Sequence, residues 1–315
     1  AKDKLSATTE RYYMSKELVN DAMSGAEQSI ELDVLRLNIY LIADTSNYQD
    51  FTIIPVAKVS SVSSNNTIIL DKNYIPPLLD IFANDKLKKI LNHTNNCVSV
   101  NLELYQNSGA NITQQLAYTL AHANEYLNEF GGEIASKIHF NFSVGSNYFF
   151  EIAKLKAFNL LWTLLLKEYE VKNTTAHIFA KPSLRNKTLY DYNVNLLRTT
   201  SECMSAILGG ANTVSNISYD TIYHKSNEFG ERIARNQLLI LQQESGFINP
   251  QNYADGTYYI ESITDELAEK ALIIFKEIEK SGGFLKQLKA GIIHKKINEV
   301  LQKKKNLLVI KRLFF

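Results

Sequence analysis

The residues best suited to chemistry cluster in one short stretch: Lys181, Ser183, Arg185, Asn186 and Lys187. Cations beside a small hydroxyl and an amide suit a phosphate or another polar anion, and an arginine can grip such a group through two parallel hydrogen bonds. The same composition also describes a solvated loop. Arg232, Arg235 and Asn236 form a second group, but Glu228 and Glu231 stand four residues before the two arginines. That spacing points to a charged helix surface or a subunit contact. Gly145-Ser-Asn147 and Gly209-Gly-Ala-Asn212 could approach a ligand closely, yet as isolated glycine turns they are better read as helix caps. His122 follows Ala121 in a helical pattern and His294 lies in a lysine-rich one; lone histidines rarely build a metal site, so none is expected. Cys97 and Cys203 are far apart and outside any paired-ligand spacing, and they read as ordinary thiols of a reducing compartment.

The elements that must position these residues change character along the chain. Up to about residue 90 the pattern is of short β-like runs, Ile39-Tyr-Leu-Ile42, Phe51-Thr-Ile-Ile-Pro-Val56 and Thr67-Ile-Ile-Leu70, separated by Asp, Asn, Ser and Pro clusters. This is a small β-rich module, and Pro76-Pro77 forces an extended exit from it. From residue 91 to 302 the order becomes strand, turn, amphipathic helix, repeated. Val98 to Leu104 alternates as a strand and Ile112 to Phe130 has helical spacing. Ile138 to Val144 leads to a helix from Tyr148 to Tyr169, and Ala176 to Ala180 to one from Tyr192 to Leu208. A fourth unit starts at Thr213 to Ile217, with a helix from about Glu228 to Ser245. Tyr253 to Ile260 reads as a loop with an extended piece before a helix from Thr264 to Lys280. Short helices follow at Phe284 to Lys289 and Ile292 to Gln302, and 303–315 reads as an irregular tail. The fold class is therefore α/β: a partial (β/α) barrel of about four units behind a β-rich module.

Composition narrows the function classes. The chain has 315 residues, 45% of them hydrophobic, enough for a real core. Thirty-four basic residues face 33 acidic ones, so no net field draws the chain to nucleic acid or to an anionic membrane. No apolar run is long enough for a membrane span and no signal segment opens the sequence, so the cytoplasm is the expected location.

Several motifs resemble a known family. Gly109-Ala110 with Gln114-Gln-Leu-Ala-Tyr-Thr-Leu-Ala121, then Val144-Gly-Ser-Asn-Tyr-Phe-Phe-Glu-Ile-Ala-Lys-Leu155, resemble the barrel of methylmalonyl-CoA mutase, most closely its small subunit. So do Arg198-Thr-Thr-Ser-Glu-Cys-Met-Ser-Ala206, Phe229-Gly-Glu-Arg-Ile-Ala-Arg-Asn236 and Tyr258-Tyr-Ile-Glu-Ser-Ile-Thr-Asp-Glu-Leu-Ala268. The resemblance implies adenosylcobalamin-dependent isomerisation of methylmalonyl-CoA and succinyl-CoA, with the acyl-CoA inside a (β/α)8 barrel and the cofactor on a separate domain. It also implies a Tyr-His pair before the Gly-Ala turn. Counting back from Gly109, those positions hold Glu103 and Leu104, and Leu104 can neither donate a hydrogen bond nor protonate anything. Tyr105-Gln-Asn-Ser108 resembles the non-catalytic small subunit instead, so the resemblance implies an inactive chain that partners a large subunit or another barrel-bearing chain. The loop of Lys181, Ser183, Arg185, Asn186 and Lys187 would then meet a CoA ester, because catalytic relatives use it so. Nothing resembles the cobalamin ligand motif.

The first module resembles the TssK-type baseplate subunit of type VI secretion systems. Arg11-Tyr-Tyr13, Ile30-Glu-Leu-Asp-Val-Leu35, Ile54-Pro-Val-Ala-Lys58 and Ile69-Leu-Asp-Lys-Asn-Tyr-Ile-Pro-Pro-Leu-Leu-Asp80 carry this likeness. It implies a structural baseplate role as the alternative function, and a chimeric reading frame whose junction falls between Ala83 and Asn96.

Overall fold

The computed structural model describes residues 98–314, apart from 173, 225–226 and 248–253, together with three strands of the first module. Those strands are β1 (Tyr12–Tyr13), β2 (Ile39–Ala43) and β3 (Phe51–Pro55). They pair antiparallel in that order, with Tyr12 opposite Leu41 and Tyr40 opposite Ile54. The run Thr67–Leu70, the Pro76-Pro77 segment, the expected junction and Cys97 lie outside the described residues.

The larger region is built on a parallel sheet of β4 (Val98–Asn101), β5 (Ile138–Val144), β6 (His177–Pro182) and β7 (Thr213–Val214), in that spatial order. The helices are α1 (Leu102–Ser108), α2 (Ile112–Phe130), α3 (Tyr148–Glu168), α4 (Val194–Leu208) and α5 (Glu228–Gln243). After them come α6 (Tyr258–Lys280), α7 (Phe284–Lys289) and α8 (Ile292–Phe314). The sequential parallel order is that of a partial TIM-type barrel.

Three expectations are corrected. The strand expected from Val98 to Leu104 stops at Asn101, whose side chain accepts a hydrogen bond from the Glu103 amide at 3.0 Å and caps α1. Asparagine competes for backbone hydrogen bonds in this way, so a period-two run can turn helical behind it. Helix α6 starts at Tyr258 rather than Thr264, because Ile260, Thr264, Leu267, Ala268 and Ala271 already fall on one buried face. The segment 303–315, expected to be irregular, continues α8 through Phe314.

Strand alternation sorts side chains onto two faces. Val98, Val100, Ile138, Phe140, Phe142, Val144, Ile178 and Ala180 join the main core with Leu116, Leu120, Phe158, Leu161 and Trp162 from α2 and α3. Helix α6 packs across α2 and α3 on the outside. A second core, with Tyr105, Tyr118, Ala121, Ile278, Phe284, Ile293 and Ile297, joins α1 and α2 to the last three helices. Gly109 closes α1 with φ +113, a conformation that favours glycine, and a Cβ there would meet Leu301 of α8 at 2.9 Å. That close approach seats α8 on the end of α1.

Candidate functional site

Parallel strands present their C-terminal ends on a common rim, and in barrels of this kind that rim carries chemistry. Because β4 ends early, Glu103 and Leu104 lie in the first turn of α1. Glu103 is buried, ion-paired with Lys181 of β6, and accepts a hydrogen bond from Asn107 Nδ2 at 3.3 Å. Leu104 is half-buried. A salt-bridged carboxylate and an aliphatic chain thus occupy the positions where the resemblance implied a tyrosine and a histidine.

The end of β6 and the loop after it carry all five expected binding residues: Ser183 is buried, Lys181, Asn186 and Lys187 are partly buried, and Arg185 is exposed. Ser183 is buried; its amide donates to the Val144 carbonyl at 2.7 Å, and its hydroxyl accepts from the Arg185 amide at 3.2 Å. Arg185 Nη1 donates to the Gln106 carbonyl at 3.2 Å. Lys187 pairs with Glu202 of α4 at 2.6 Å and donates to Asn186 Oδ1 at 3.0 Å, while Asn186 itself donates to Glu202. The Lys187 and Glu202 side chains are 2% and 0% exposed. Burial pushes the Lys187 ammonium down and the Glu202 carboxyl up, and each partly holds the other back.

Sequence reasoning missed three partners of this rim. Glu202 was visible only as part of a family motif. Lys154 is fully buried near the start of α3, paired with Glu151, and donates to the Ser143 carbonyl at 2.7 Å and to Gln106 Oε1 at 3.1 Å. Its signal was a charge inside an apolar helix stripe. Lys304 of α8 is half-buried; burial, and to a smaller extent the Arg185 guanidinium, hold its ammonium below the usual range. Arg232, expected to pair on its helix surface, lies over the Phe229 ring at 5.5 Å.

The face of the sheet opposite the helices carries Ser99, Asn101, His139, Asn141, Ser143, His177, Phe179 and Lys181, where barrel interiors are usually filled by branched apolar residues. These positions form cross-strand rows, Ser99 beside His139 beside His177, and Ser143 beside Lys181. Asn141 donates to Ser99 Oγ at 2.9 Å and accepts from His139 Nε2 at 3.1 Å. His139 Nδ1 lies 2.6 Å from His177 Nδ1, so one of the two rings donates to the other. His122 stacks between Phe284 and Tyr126 and lies 3.1 Å from the Tyr105 hydroxyl, and burial pulls its pKa down to about 3.

Among the described residues no group of three or more His, Cys, Asp or Glu side chains is arranged to hold a metal ion, and no helix is long and apolar enough to cross a membrane. Cys203 is a free, buried thiol pushed up by burial. The described imidazoles face one another, a tyrosine hydroxyl, the Asp220 carboxylate or, for His294, the exposed side of α8. They do not fit a ligand set for a corrin cobalt.

Comparison with known proteins agrees with the arrangement. A family model described as methylmalonyl-CoA mutase matches residues 77–311. A second, described as bacterial type VI secretion (EvfL, ImpJ, VasE), matches residues 1–127. The methylmalonyl-CoA mutase small subunit of Porphyromonas gingivalis is 41% identical over 211 residues, covering 64% of this chain and 34% of its own. The methylmalonyl-CoA mutase of Rhizobium meliloti is 36% identical over 216 residues, 65% of this chain and 30% of its own. The large subunit from Streptomyces virginiae is 30% identical over 307 residues, 91% of this chain and 40% of its own. The chain thus spans 30% to 40% of the length of these relatives. With a family match running through the parallel sheet and every helix around it, the chain belongs to the methylmalonyl-CoA mutase family.

Proposed function

We propose that this chain is a non-catalytic, small-subunit-like part of a methylmalonyl-CoA mutase, working by packing against a large subunit or another barrel-bearing chain. The observation that carries the reading is the Glu103–Lys181 ion pair next to Leu104. Isomerisation in this family is implied to need groups that hydrogen-bond the substrate thioester from these positions. An ion-paired carboxylate and a leucine cannot polarise that carbonyl. Support for a partner comes from the sheet: β4 and β7 lie at its two edges, and parallel strands of a barrel are paired on both sides. The polar inner face suits an extended polar ligand such as a CoA ester better than a packed apolar interior. Adenosylcobalamin would be supplied through the partner, and we place the barrel segment at 91–302.

The test is turnover of methylmalonyl-CoA with adenosylcobalamin by the purified chain alone and mixed with a mutase large subunit, alongside size-exclusion chromatography of the mixture. The expected result is no turnover alone and co-elution with the large subunit. Turnover by the chain alone, or separate elution, overturns the reading.

A second reading, a structural component of a type VI secretion baseplate, draws on the family match over residues 1–127. It requires co-purification with other baseplate subunits, and its absence under conditions that preserve the baseplate removes it.

A further inference from the structure

We propose that the last two helices, α7 and α8, form a basic arm that docks on the surface of an anionic lipid bilayer, with lysines at the headgroups and the aliphatic end of α8 at the acyl boundary. The proposal is independent of the subunit reading and concerns a different part of the molecule from the parallel sheet and its rim.

The near balance of charge over the whole chain conceals a segregation. Of the 34 basic and 33 acidic residues, nine and one lie in 281–315, which leaves 25 and 32 for the rest. The acidic one is Glu299. The fold then puts the cations outside. Phe284 and Gln287 of α7 and Ile293 and Ile297 of α8 are buried, and Leu301 is pressed against Gly109, so one side of the helix pair is fixed to the body. Lys286, Lys289, Lys295 and Lys303 are exposed on the other side. Lys296 lies 3.9 Å from Glu277, but among the described residues no carboxylate pairs with those four. Glu299 stands four residues from Lys295 and from Lys303 and offsets them in part.

A second observation decides what the arm meets. Residues seven apart share a face of a helix. The exposed register of α8, with Lys295, Gln302, Lys303 and Asn306, continues within the helix as Val309, Ile310 and Leu313. A register that meets water in the first half of a helix and carries aliphatic residues in the second calls for a cover that is anionic at one end and apolar at the other. An acidic protein face or a nucleic acid answers only the lysines, and no Phe, Tyr or Trp lies between Phe284 and Phe314 to stack on bases. An anionic bilayer answers both, because its surface attracts each nearby lysine and aliphatic side chains enter the boundary beneath the headgroups. Lys311 and Arg312 interrupt the apolar run, so α8 suits the plane of the interface and not a span across it. Among the described residues no helix is long and apolar enough to cross a membrane, which agrees with that placement.

The experiment is flotation of the full chain with phosphatidylcholine vesicles, with and without phosphatidylserine, at low and high salt. It compares wild type, the pair Lys295→Gln with Lys303→Gln, the pair Ile310→Ser with Leu313→Ser, and the exposed control Lys276→Gln on α6. We expect wild type to bind the vesicles that contain phosphatidylserine, to leave the others in solution, and to bind less at high salt. The lysine pair should lower partitioning about 30-fold. The aliphatic pair should lower it about tenfold or more. Lys276→Gln should bind as wild type does. Circular dichroism checks folding, and the comparison of vesicles and salts uses wild type, so the proposal can fail without any variant. Wild type that ignores phosphatidylserine vesicles, or binds both kinds equally, overturns it. So does a lysine pair that binds as tightly as wild type. Binding that falls with the lysine pair but stays unchanged in the aliphatic pair also overturns it, and would assign the arm to an acidic protein surface.

Discussion

The two faces of the parallel sheet come from the same strands, yet they obey different rules. The helix-facing set, with Phe140, Phe142 and Ile178, is apolar and packs on Phe158 and Trp162. The other face puts His139, Asn141 and Ser143 of β5 in between; His139 and Asn141 are linked by hydrogen bonds to His177 and Ser99, whereas the Ser143 hydroxyl is buried without a partner among the described residues. A sheet needs only one apolar face to be held by helices. The alternate positions are then free to carry polarity, at the cost of desolvating any donor or acceptor that finds no partner. The apolar face therefore specifies the fold, while the other face carries a buried polar network that helix packing does not require.

The largest effect should come from breaking the apolar face. Trp162 is fully buried and meets Phe140 edge-on, with ring centroids 4.9 Å apart. Trp162→Ala should cost about 3–5 kcal/mol, read as a lower urea midpoint. Asn141→Ala on the inner face removes hydrogen bonds without comparable volume and should cost about 1–3 kcal/mol. Equal costs would mean that the inner face is a structural core and not a ligand surface.

Acid sharpens the comparison. His122 belongs to the helical side, stacked between Phe284 and Tyr126, and among the described residues its titratable neighbour at hydrogen-bond distance is the Tyr105 hydroxyl. Its pKa falls from an ordinary 6.5 to about 3 because burial disfavours the charged ring. Between these values the unfolded chain binds the extra proton, so stability is full above pH 6.5 and is lost as pH falls toward 3. Each pH unit in that window should remove about 1.4 kcal/mol through this residue. Urea midpoints from pH 7.5 to 4.5 should show that slope, and His122→Gln should flatten it. An unchanged slope in the variant would transfer the acid sensitivity to the inner-face pair, where burial also lowers His177.

Much of the fold was legible because periodicity is local. Strand β5 and helices α2 and α7 fall where alternation and helical spacing put them. The errors fall where a single residue or a distant contact decides. Asn101 turns a strand into a helix through one side-chain hydrogen bond, and α8 persists past 302 although its residues alternate apolar and charged too loosely to announce a buried stripe. The candidate loop was legible as a group of cations, since residue type is written in the sequence. Its partners were not: Glu103, Glu202 and Lys304 come from other elements, and only the folded chain reveals that Lys181 and Lys187 are already neutralised.

The smallest effect separates those two ion pairs. Lys187–Glu202 is wholly buried, whereas Lys181 keeps 13% of its side chain exposed at the rim. Glu202→Gln leaves a buried ammonium without its counter-charge, and breaking a buried pair in this way costs about 3 kcal/mol or more. Glu103→Gln still offers an oxygen to Asn107 and Lys181, and Lys181 can draw on solvent, so the loss should be about 1 kcal/mol. The two variants also differ in binding. Removing the Glu103 charge takes one counter-charge from Lys181 on the same rim as Arg185, so coenzyme A should bind Glu103→Gln more tightly than wild type, while Glu202→Gln should show no gain. Paired urea melts and calorimetric titrations check both halves. Equal stability losses would mean that the rim pair is as structural as the buried one, and an unchanged affinity in Glu103→Gln would mean that Lys181 faces away from the ligand.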